Sequence, residues 1–231
     1  MTIELANGEA QLAALAVLSQ QTRELMDAVV LTDVDETEIA AVTAELVAIT
    51  ERLRAVRRDT PLPHEFAPDG TFRHLGNAVT GACNPHALPL EVERPPEGGS
   101  RAEVNFRPIH EGPPAGVHGG VSALILDHLL GDAVAASGRG GVTGTLTIRY
   151  KRRVPYGERV VATAAVTRGE GRKTWADGSI ALPDGTPLVE ATGLFITPEM
   201  WIRPAEPGEE PAPVNGPPPT MTAATGTAPP A

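Results

Sequence analysis

Apolar side chains recur at helical spacing through the first 58 residues. In the clearer stretch they stand three or four positions apart, the a/d spacing of helices that pack along one seam: Ile39, Val42, Leu46, Ile49, Leu53 and Val56. A weaker seam precedes it, at Leu15, Leu18, Leu25 and Val29. The pattern predicts a helical hairpin over residues 1–58, packed on itself or on a partner. Asp33 and Glu36 are spaced like a capping box between the two helices.

From about residue 88 the pattern changes to short β-like runs, bounded by Gly, Pro and Asp-Gly turns. The sequence Pro183-Asp184-Gly185 is typical of a hairpin turn. One segment, from about Gly119 to Ala136, is apolar nearly all round and predicts a buried helix. The predicted strands lie in 88–93, 102–109, 142–154, 159–169, 173–182 and 187–197.

Proline and glycine divide the chain further. Residues 59–87 are interrupted by both residue types, so we interpret them as a connecting segment, followed by a sheet-and-helix domain over 88–200. Residues 203–231 contain nine prolines in 29 positions and are predicted to be disordered.

Composition narrows the class of protein. The chain has 231 residues, 41% of them hydrophobic, and we expect no apolar run long enough to span a bilayer. The first residues carry acids where a secretory signal carries positive charge, and the lone Cys83 permits no intrachain disulfide. We therefore expect a cytoplasmic protein without a membrane partner.

The formal charge of −10 argues against a nucleic-acid partner. Residues 1–60 hold 5 basic and 11 acidic side chains, whereas residues 61–200 hold 13 and 15. Most of the positive charge, including both lysines, Lys151 and Lys173, therefore lies in the middle segment.

Gly119 and Gly120 stand at the predicted start of the apolar helix. Glycines there let another group approach the free backbone N–H groups, and those amides and the helix dipole favour negative charge. The pair is a candidate oxyanion hole, although two glycines could equally serve only for close packing.

Asp127 favours the chemical interpretation. On a helix it shares a face with Gly120, Leu124, Gly131 and Val134, where a carboxylate is costly unless it is paired, hydrogen-bonded or chemically useful. The structural alternative is an Asp that neighbouring hydroxyls, such as those of Thr143 or Ser122, satisfy.

Geometry links the two features to a second copy of the chain. Seven residues of helix rise roughly 10 Å, so Asp127 cannot reach a group held at its own helix's N-terminus. If both features serve one reaction, the site is composite and the protein is a two-fold dimer. Separate structural roles would remove this inference.

Other candidates are weaker. Strand alternation places Arg149, Lys151 and Arg153 on one face, and Arg172-Lys173 follow a glycine-bearing turn. These groups could hold a phosphate-bearing ligand or form an ordinary solvated face. The histidines lack metal-ligand spacing, so we expect no metal.

The residues that carry a resemblance are E-G-P-P-A-G-V-H-G-G-x6-D, from Glu111 to Asp127, then V-T-x-x-L-T-I-R-Y-K-R-x-V-P and E-G-R-K. Over about residues 80–200 the chain resembles the PaaI-type hotdog-fold acyl-CoA thioesterases, and most closely the thioesterase superfamily member 4 group. The resemblance implies an α+β hotdog fold, a curled antiparallel sheet around one buried helix. It also implies a dimer, or a dimer of dimers, that continues the sheet across subunits.

The resemblance also implies roles for individual residues. Asp127 would act as general base or nucleophile, the Gly119 and Gly120 amides of the partner would bind the oxyanion, His118 would support their loop, and Thr143 would stand near the carboxylate. Arg149, Lys151, Arg172 and Lys173 would contact coenzyme A. Gly112 departs from the pattern, because some relatives carry Asn six residues before the histidine.

The leading hypothesis is therefore a hydrolase of acyl-CoA thioesters that needs no cofactor, since a thioester is already activated. The alternatives are a non-catalytic acyl-CoA-binding or regulatory protein, which would not need Asp127, and a hotdog dehydratase. The dehydratase is disfavoured because adjacent helical residues such as Asp127 and His128 point about 100° apart.

Overall fold

The computed structural model describes residues 8–66 and 72–202. Within this range the chain forms two compact units, one from residues up to 90 together with 106–111, the other from 91–105 and 112 onward. The predicted disordered segment, 203–231, lies outside the described residues.

The first unit begins with the two predicted helices, α1 (Glu9–Leu31) and α2 (Glu36–Arg54). The capping-box prediction is wrong in its residues, because α2 begins at Glu36 and its N-cap is Asp35, which accepts a bond from the Glu38 N–H at 2.9 Å. An aspartate satisfies the otherwise unpaired amides of a first turn only from the position just before it.

The segment predicted as a connection forms a minimal hairpin of β1 (Glu65–Phe66) and β2 (Phe72–Arg73). A short 3-10 helix, Pro108–His110, packs against α1. The Arg107 guanidinium fixes this contact by donating to Asp27 Oδ2 at 2.5 Å and to the Arg23 carbonyl at 2.8 Å.

The second unit is a five-stranded antiparallel sheet that packs against one helix, α3 (Gly119–Ala136). In sheet order the strands are β3 (Ser100–Asn105), β5 (Arg159–Glu170), β6 (Lys173–Ala181), β7 (Pro187–Ile196) and β4 (Val142–Tyr150). The bounds of the helix are those that the sequence predicted. The curled sheet with its helix confirms the fold that the resemblance implied.

Three sequence predictions of strands need correction. The strand predicted over 102–109 ends at Asn105, because Pro108 lacks a backbone donor and begins the 3-10 helix Pro108–His110. Residues 88–92 form no strand, and Glu93 makes only an isolated bridge with Arg101, because prolines at both ends of this stretch remove donors from any ladder. The strand predicted over 142–154 ends at Tyr150. The chain then turns, and the Lys151 and Arg152 amides both bond to the Leu188 carbonyl.

Small side chains let α3 approach the sheet closely. The helix contributes a buried row that includes Ile125, Leu126, Leu129 and Leu130. A Cβ at Gly178 or at Gly193 would stand 3.3 Å from a methyl carbon of Leu130, so these strand glycines make room for the helix. By length and composition α3 could also cross a membrane, but a core helix meets the same criterion, and α3 packs against β5 and β6.

Candidate active site

The N-terminus of α3 is held by a histidine. His118 is the N-cap residue, and its ring Nδ1 accepts a bond from the Gly120 N–H at 3.0 Å. The loop before it turns tightly, with Gly112 N–H bonded to the Gly116 carbonyl, and Val117 N–H bonded to the carbonyl of Val154. The ring bond thus ties His118 to the first turn of α3.

The Gly119–Gly120 peptide is fixed at both of its polar groups. Its N–H is bonded to His118, and its carbonyl accepts a bond from the Tyr150 hydroxyl at 3.0 Å. A Cβ on Gly119 would stand only 3.0 Å from the Tyr150 ring, so this residue has little room for a side chain. The Gly119 N–H itself has no acceptor among the described residues. Of the two candidate amides, Gly119 therefore has the free donor.

A cavity of about 380 Å³ opens beside this helix end. Its lining includes Gly119, Tyr150, Ser122, Arg152 and Arg153. Ser122 is 1% exposed, and its hydroxyl has no hydrogen-bond partner among the described residues. The cavity thus combines an unbonded amide, an unpartnered hydroxyl and positive charge, and these groups suit a polar, anionic ligand.

Asp127 lies two helical turns further along α3, half-buried. Thr143, near the start of β4, donates to its Oδ1 at 2.9 Å. Among the described residues no donor reaches its Oδ2. The eight residues from Gly119 to Asp127 rise roughly 12 Å along the helix, so one chain does not bring the carboxylate and the free amide together.

The basic candidates are dispersed. Arg149 lines a polar cavity of about 670 Å³ on the sheet face opposite α3, away from Asp127 and Gly119. Lys151 pairs with Glu190. Glu190 is also the cross-strand partner of Arg149, so Arg149 and Lys151 stay on one side of the sheet, and Lys151 lines the cavity at Gly119 as well. Arg153 instead packs over Gly116 beside the α3 N-terminus, so the prediction of a shared face is wrong for Arg153, because β4 ends at Tyr150.

The second basic pair lies at the other end of the sheet. Arg172 pairs with Glu199 at 2.8 Å, and Lys173 opens β6. In the sheet, Lys173 of β6 pairs with Ile196 of β7. Ile196 in turn pairs with Val142 of β4, the residue before Thr143. Arg172 and Lys173 therefore share the end of the sheet that holds the Asp127–Thr143 pair, whereas Arg152 and Arg153 share the end with Gly119.

Sequence reasoning missed three residues of this site. They are Tyr150, Ser122 and Arg152, none of which the sequence identified as part of the site. Tyr150 acquires its role through a hydrogen bond to a residue 31 positions away in the chain, and Ser122 and Arg152 meet only in the cavity, so no local pattern records them.

Gly112 has a structural reason to lack a side chain. A Cβ there would stand 2.6 Å from the Cα of His118, closer than non-bonded carbons approach. This loop therefore excludes the asparagine that some relatives carry, unless His118 moves.

Cys83 and the remaining described histidines offer no second centre. Burial raises the pKa of the Cys83 thiol, which disfavours the reactive thiolate. Burial also lowers the pKa of His110, whose ring accepts the Arg107 N–H. Among the described residues no three His, Cys, Asp or Glu side chains are grouped as metal ligands would be.

Comparison with known proteins gives concordant results. The profile of the thioesterase superfamily matches residues 116–177, which include the helix, its entrance and Thr143. A crystal structure described as a thioesterase superfamily protein is 34% identical, superposes with a TM-score of 0.71, and covers 79% of this chain and 94% of its own.

Two curated relatives share the name acyl-coenzyme A thioesterase THEM4. The protein from Xenopus laevis is 38% identical over 90 residues, and the one from Bos taurus 37% identical over 90 residues. The aligned part is 38% of this chain in both cases, and it spans only 40% and 37% of the relatives' lengths.

Proposed function

Because this chain belongs to the thioesterase superfamily, we propose that it hydrolyses acyl-CoA thioesters to the free acid and coenzyme A. The observation that carries the proposal is the half-buried Asp127 carboxylate, which Thr143 orients through one oxygen while the other oxygen has no donor in the described part of the chain. The relatives named acyl-coenzyme A thioesterase support the choice of substrate class.

In the proposed reaction, Asp127 Oδ2 takes a proton from a water molecule whose oxygen attacks the thioester carbonyl carbon. The carbonyl oxygen becomes an oxyanion that accepts a hydrogen bond from the Gly119 N–H at the positive end of α3. Collapse of the intermediate breaks the carbon–sulfur bond, and the thiolate leaves with the proton that Asp127 holds. Preorganised charge and one base suffice because a thiolate is a good leaving group.

We propose further that each site is shared by two copies of the chain. The rise of roughly 12 Å between Gly119 and Asp127 supports this, because the two groups of one chain are too far apart to act on the same thioester. β4 supports the way in which the copies meet, because it is an edge strand of nine residues that, within residues 8–66 and 72–202, pairs with β7 alone, and it is exposed along most of its length. A long free edge is a template for pairing with another chain.

A two-fold axis beside β4 would run two α3 helices antiparallel. Leu124, which is only half-buried on α3, lies within about 60° of Asp127 around the helix and could meet the partner helix. Gly119 and Arg153 of the partner subunit would then approach Asp127, Thr143 and Lys173. Basic groups from both ends of the sheet would converge on the phosphates of coenzyme A.

The test is thiol release from acyl-CoAs of graded chain length, followed with a thiol reagent. We expect turnover by the wild type and a loss of about 10²- to 10⁴-fold in kcat/KM for Asp127→Asn. The matched control is Asp177→Asn, because Asp177 also accepts a bond from a threonine, Thr192, at 2.7 Å but lies on the sheet face away from α3. Undiminished thiol release by Asp127→Asn would refute the mechanism. Tight binding of acyl-CoA without turnover would indicate a binding protein instead.

A further inference from the structure

The helix α2 carries an apolar stripe that nothing in the described chain covers. None of its residues is buried, and it forms no packed interface with another described helix or strand. The stripe, here called the α2 seam, repeats every three or four residues. Its members are Ile39, Val42, Leu46, Ile49 and Leu53, and Val56 continues the spacing just past the helix.

Exposure of this seam to water is unfavourable. Ile39, Ile49 and Leu53 are 48%, 43% and 55% exposed, and each could bury most of that apolar surface in a helix pair. A 19-residue helix without tertiary support is also marginal in water. Both arguments indicate that the seam has a partner.

We propose that the α2 seam packs against the α2 seam of a second copy of this chain, with the two helices antiparallel. The charges along α2 carry the choice of partner, because the helix is acidic at its start and basic at its end. Asp33, Asp35, Glu36 and Glu38 lie at one end, and Arg52, Arg54, Arg57 and Arg58 at the other. An antiparallel pair places each acidic end beside a basic end and opposes the two helix dipoles favourably.

The heptad positions give the register. Aligning the seams over their full length places Leu46 opposite Ile49 of the partner subunit and Val42 opposite Leu53 of the partner subunit. At the flanks, Glu38 of each copy then faces the partner's Arg52, which gives two pairs of opposite charge in the dimer. The two copies of Glu45 face each other, which gives one pair of like charge. In a parallel pair Arg52 would instead face the partner's Arg57, with no opposite charges in contact. Charge therefore favours the antiparallel arrangement.

Segments of the chain outside the described residues are poor alternatives as occupants. Residues 203–231 contain two large aliphatic side chains, Val214 and Met221, and residues 1–7 contain Ile3 and Leu5 besides Met1. Neither segment repeats them at a spacing that could fill a five-residue seam.

The test is disulfide cross-linking of the full chain under mild copper oxidation. We expect the double variant Val42→Cys/Leu53→Cys to give a covalent dimer on a non-reducing gel. Cysteines 11 residues apart in one helix are about 16 Å apart and cannot bridge within it. The wild type controls for linkage through Cys83. The single variant Val42→Cys distinguishes the two orientations, because only a parallel pair would place the two introduced cysteines side by side.

Two matched pairs of variants in the double-cysteine background sharpen the result. Ile49→Glu should abolish the cross-link, whereas Val47→Glu, which changes an exposed residue outside the seam, should leave it intact. Glu38→Gln should lower the yield at limiting concentration by about two- to fivefold, and Glu45→Gln should raise it.

Absence of a cross-link in the double variant would overturn the proposal, provided that circular dichroism shows the helices intact. A cross-link in Val42→Cys alone would overturn the antiparallel arrangement, and equal loss in Ile49→Glu and Val47→Glu would overturn the assignment of the seam. Because the readout is a covalent bond between α2 helices, the result does not depend on thiol release or on pairing through β4.

Discussion

Two peptide-level contacts organise the candidate site. The Tyr150 hydroxyl and the His118 ring bond the carbonyl and the N–H of one peptide, and the adjacent Gly119 amide is left as the donor. Thr143 similarly occupies one oxygen of Asp127 and leaves the other without a donor. Each reactive group is thus oriented by a neighbour that takes no part in bond making, which is the arrangement that a preorganised site requires.

Thr143→Val should lower kcat/KM for acyl-CoA hydrolysis by about 10- to 100-fold, because a hydrogen bond to a charged group contributes about 1.5 to 3 kcal/mol. The control is Thr192→Val, which removes the equivalent bond to Asp177 on the opposite sheet face. Steady-state thiol-release kinetics on both variants measure the effect. Equal, small losses in the two variants would contradict a role for Thr143 in orienting Asp127.

At the scale of elements, α3 is joined to β3 by a half-exposed polar cluster. Asp132 of α3 accepts bonds from the Ser100 hydroxyl at 2.5 Å and from Arg94 at 2.6 Å. Burial of Asp132 acts to raise its pKa, but these two bonds and the charge of Arg94 outweigh burial and lower it below its ordinary value. The ionised form of Asp132 therefore stabilises the folded state.

Asp132→Asn should reduce the free energy of unfolding by about 1 to 2 kcal/mol at pH 7. Because the folded pKa lies below the unfolded one, this stabilisation is present above the unfolded value near 4 and disappears as the pH falls through the folded value. Urea titrations at several pH values should show that the difference in the free energy of unfolding between wild type and variant becomes smaller as the pH falls. A difference that does not change with pH would contradict this account.

At the scale of the whole molecule, the chain presents two separate features that call for a second copy. One is the free edge of β4 with the divided site of Asp127 and Gly119, and the other is the α2 seam. The first concerns the proposed chemistry, because a single chain holds the base and the oxyanion donor roughly 12 Å apart. The second concerns assembly alone.

The shared site predicts complementation between two inactive variants. Gly119→Pro deletes the amide donor at the first helical position, where the backbone accepts proline, and its ring also displaces the Tyr150 ring, which would lie 3.0 Å from a Cβ there. Asp127→Asn deletes the base. When the two proteins are mixed and allowed to exchange subunits, each mixed dimer should hold one intact site. A statistical mixture should then recover about a quarter of wild-type thiol release. Recovery of no activity despite proven exchange would place both groups in one chain's own site.

The sequence by itself determined the elements whose signals are local. The all-apolar stretch and its glycine start predicted the bounds of α3 correctly, and the Asp-Gly turn predicted the β6–β7 hairpin, because both depend on residues close together in the chain. It also identified Asp127 as a carboxylate in an apolar setting and offered Thr143 and Ser122 as hydroxyls that could satisfy it, of which Thr143 bonds to the carboxylate and Ser122 does not. The strand predicted at 88–93 failed because alternation alone ignores the missing donors of the flanking prolines.

Only the tertiary structure decided which groups share an end of the sheet. Arg149 and Arg153 are four residues apart, yet they line different cavities because β4 ends between them, and a strand end is set by its pairing with β7. Tyr150 reaches Gly119, and Lys173 reaches the end that holds Thr143, through contacts between distant segments. Local patterns record which chemistry a chain carries, whereas long-range pairing places it, because strand register and helix packing are satisfied only when the whole sheet has formed.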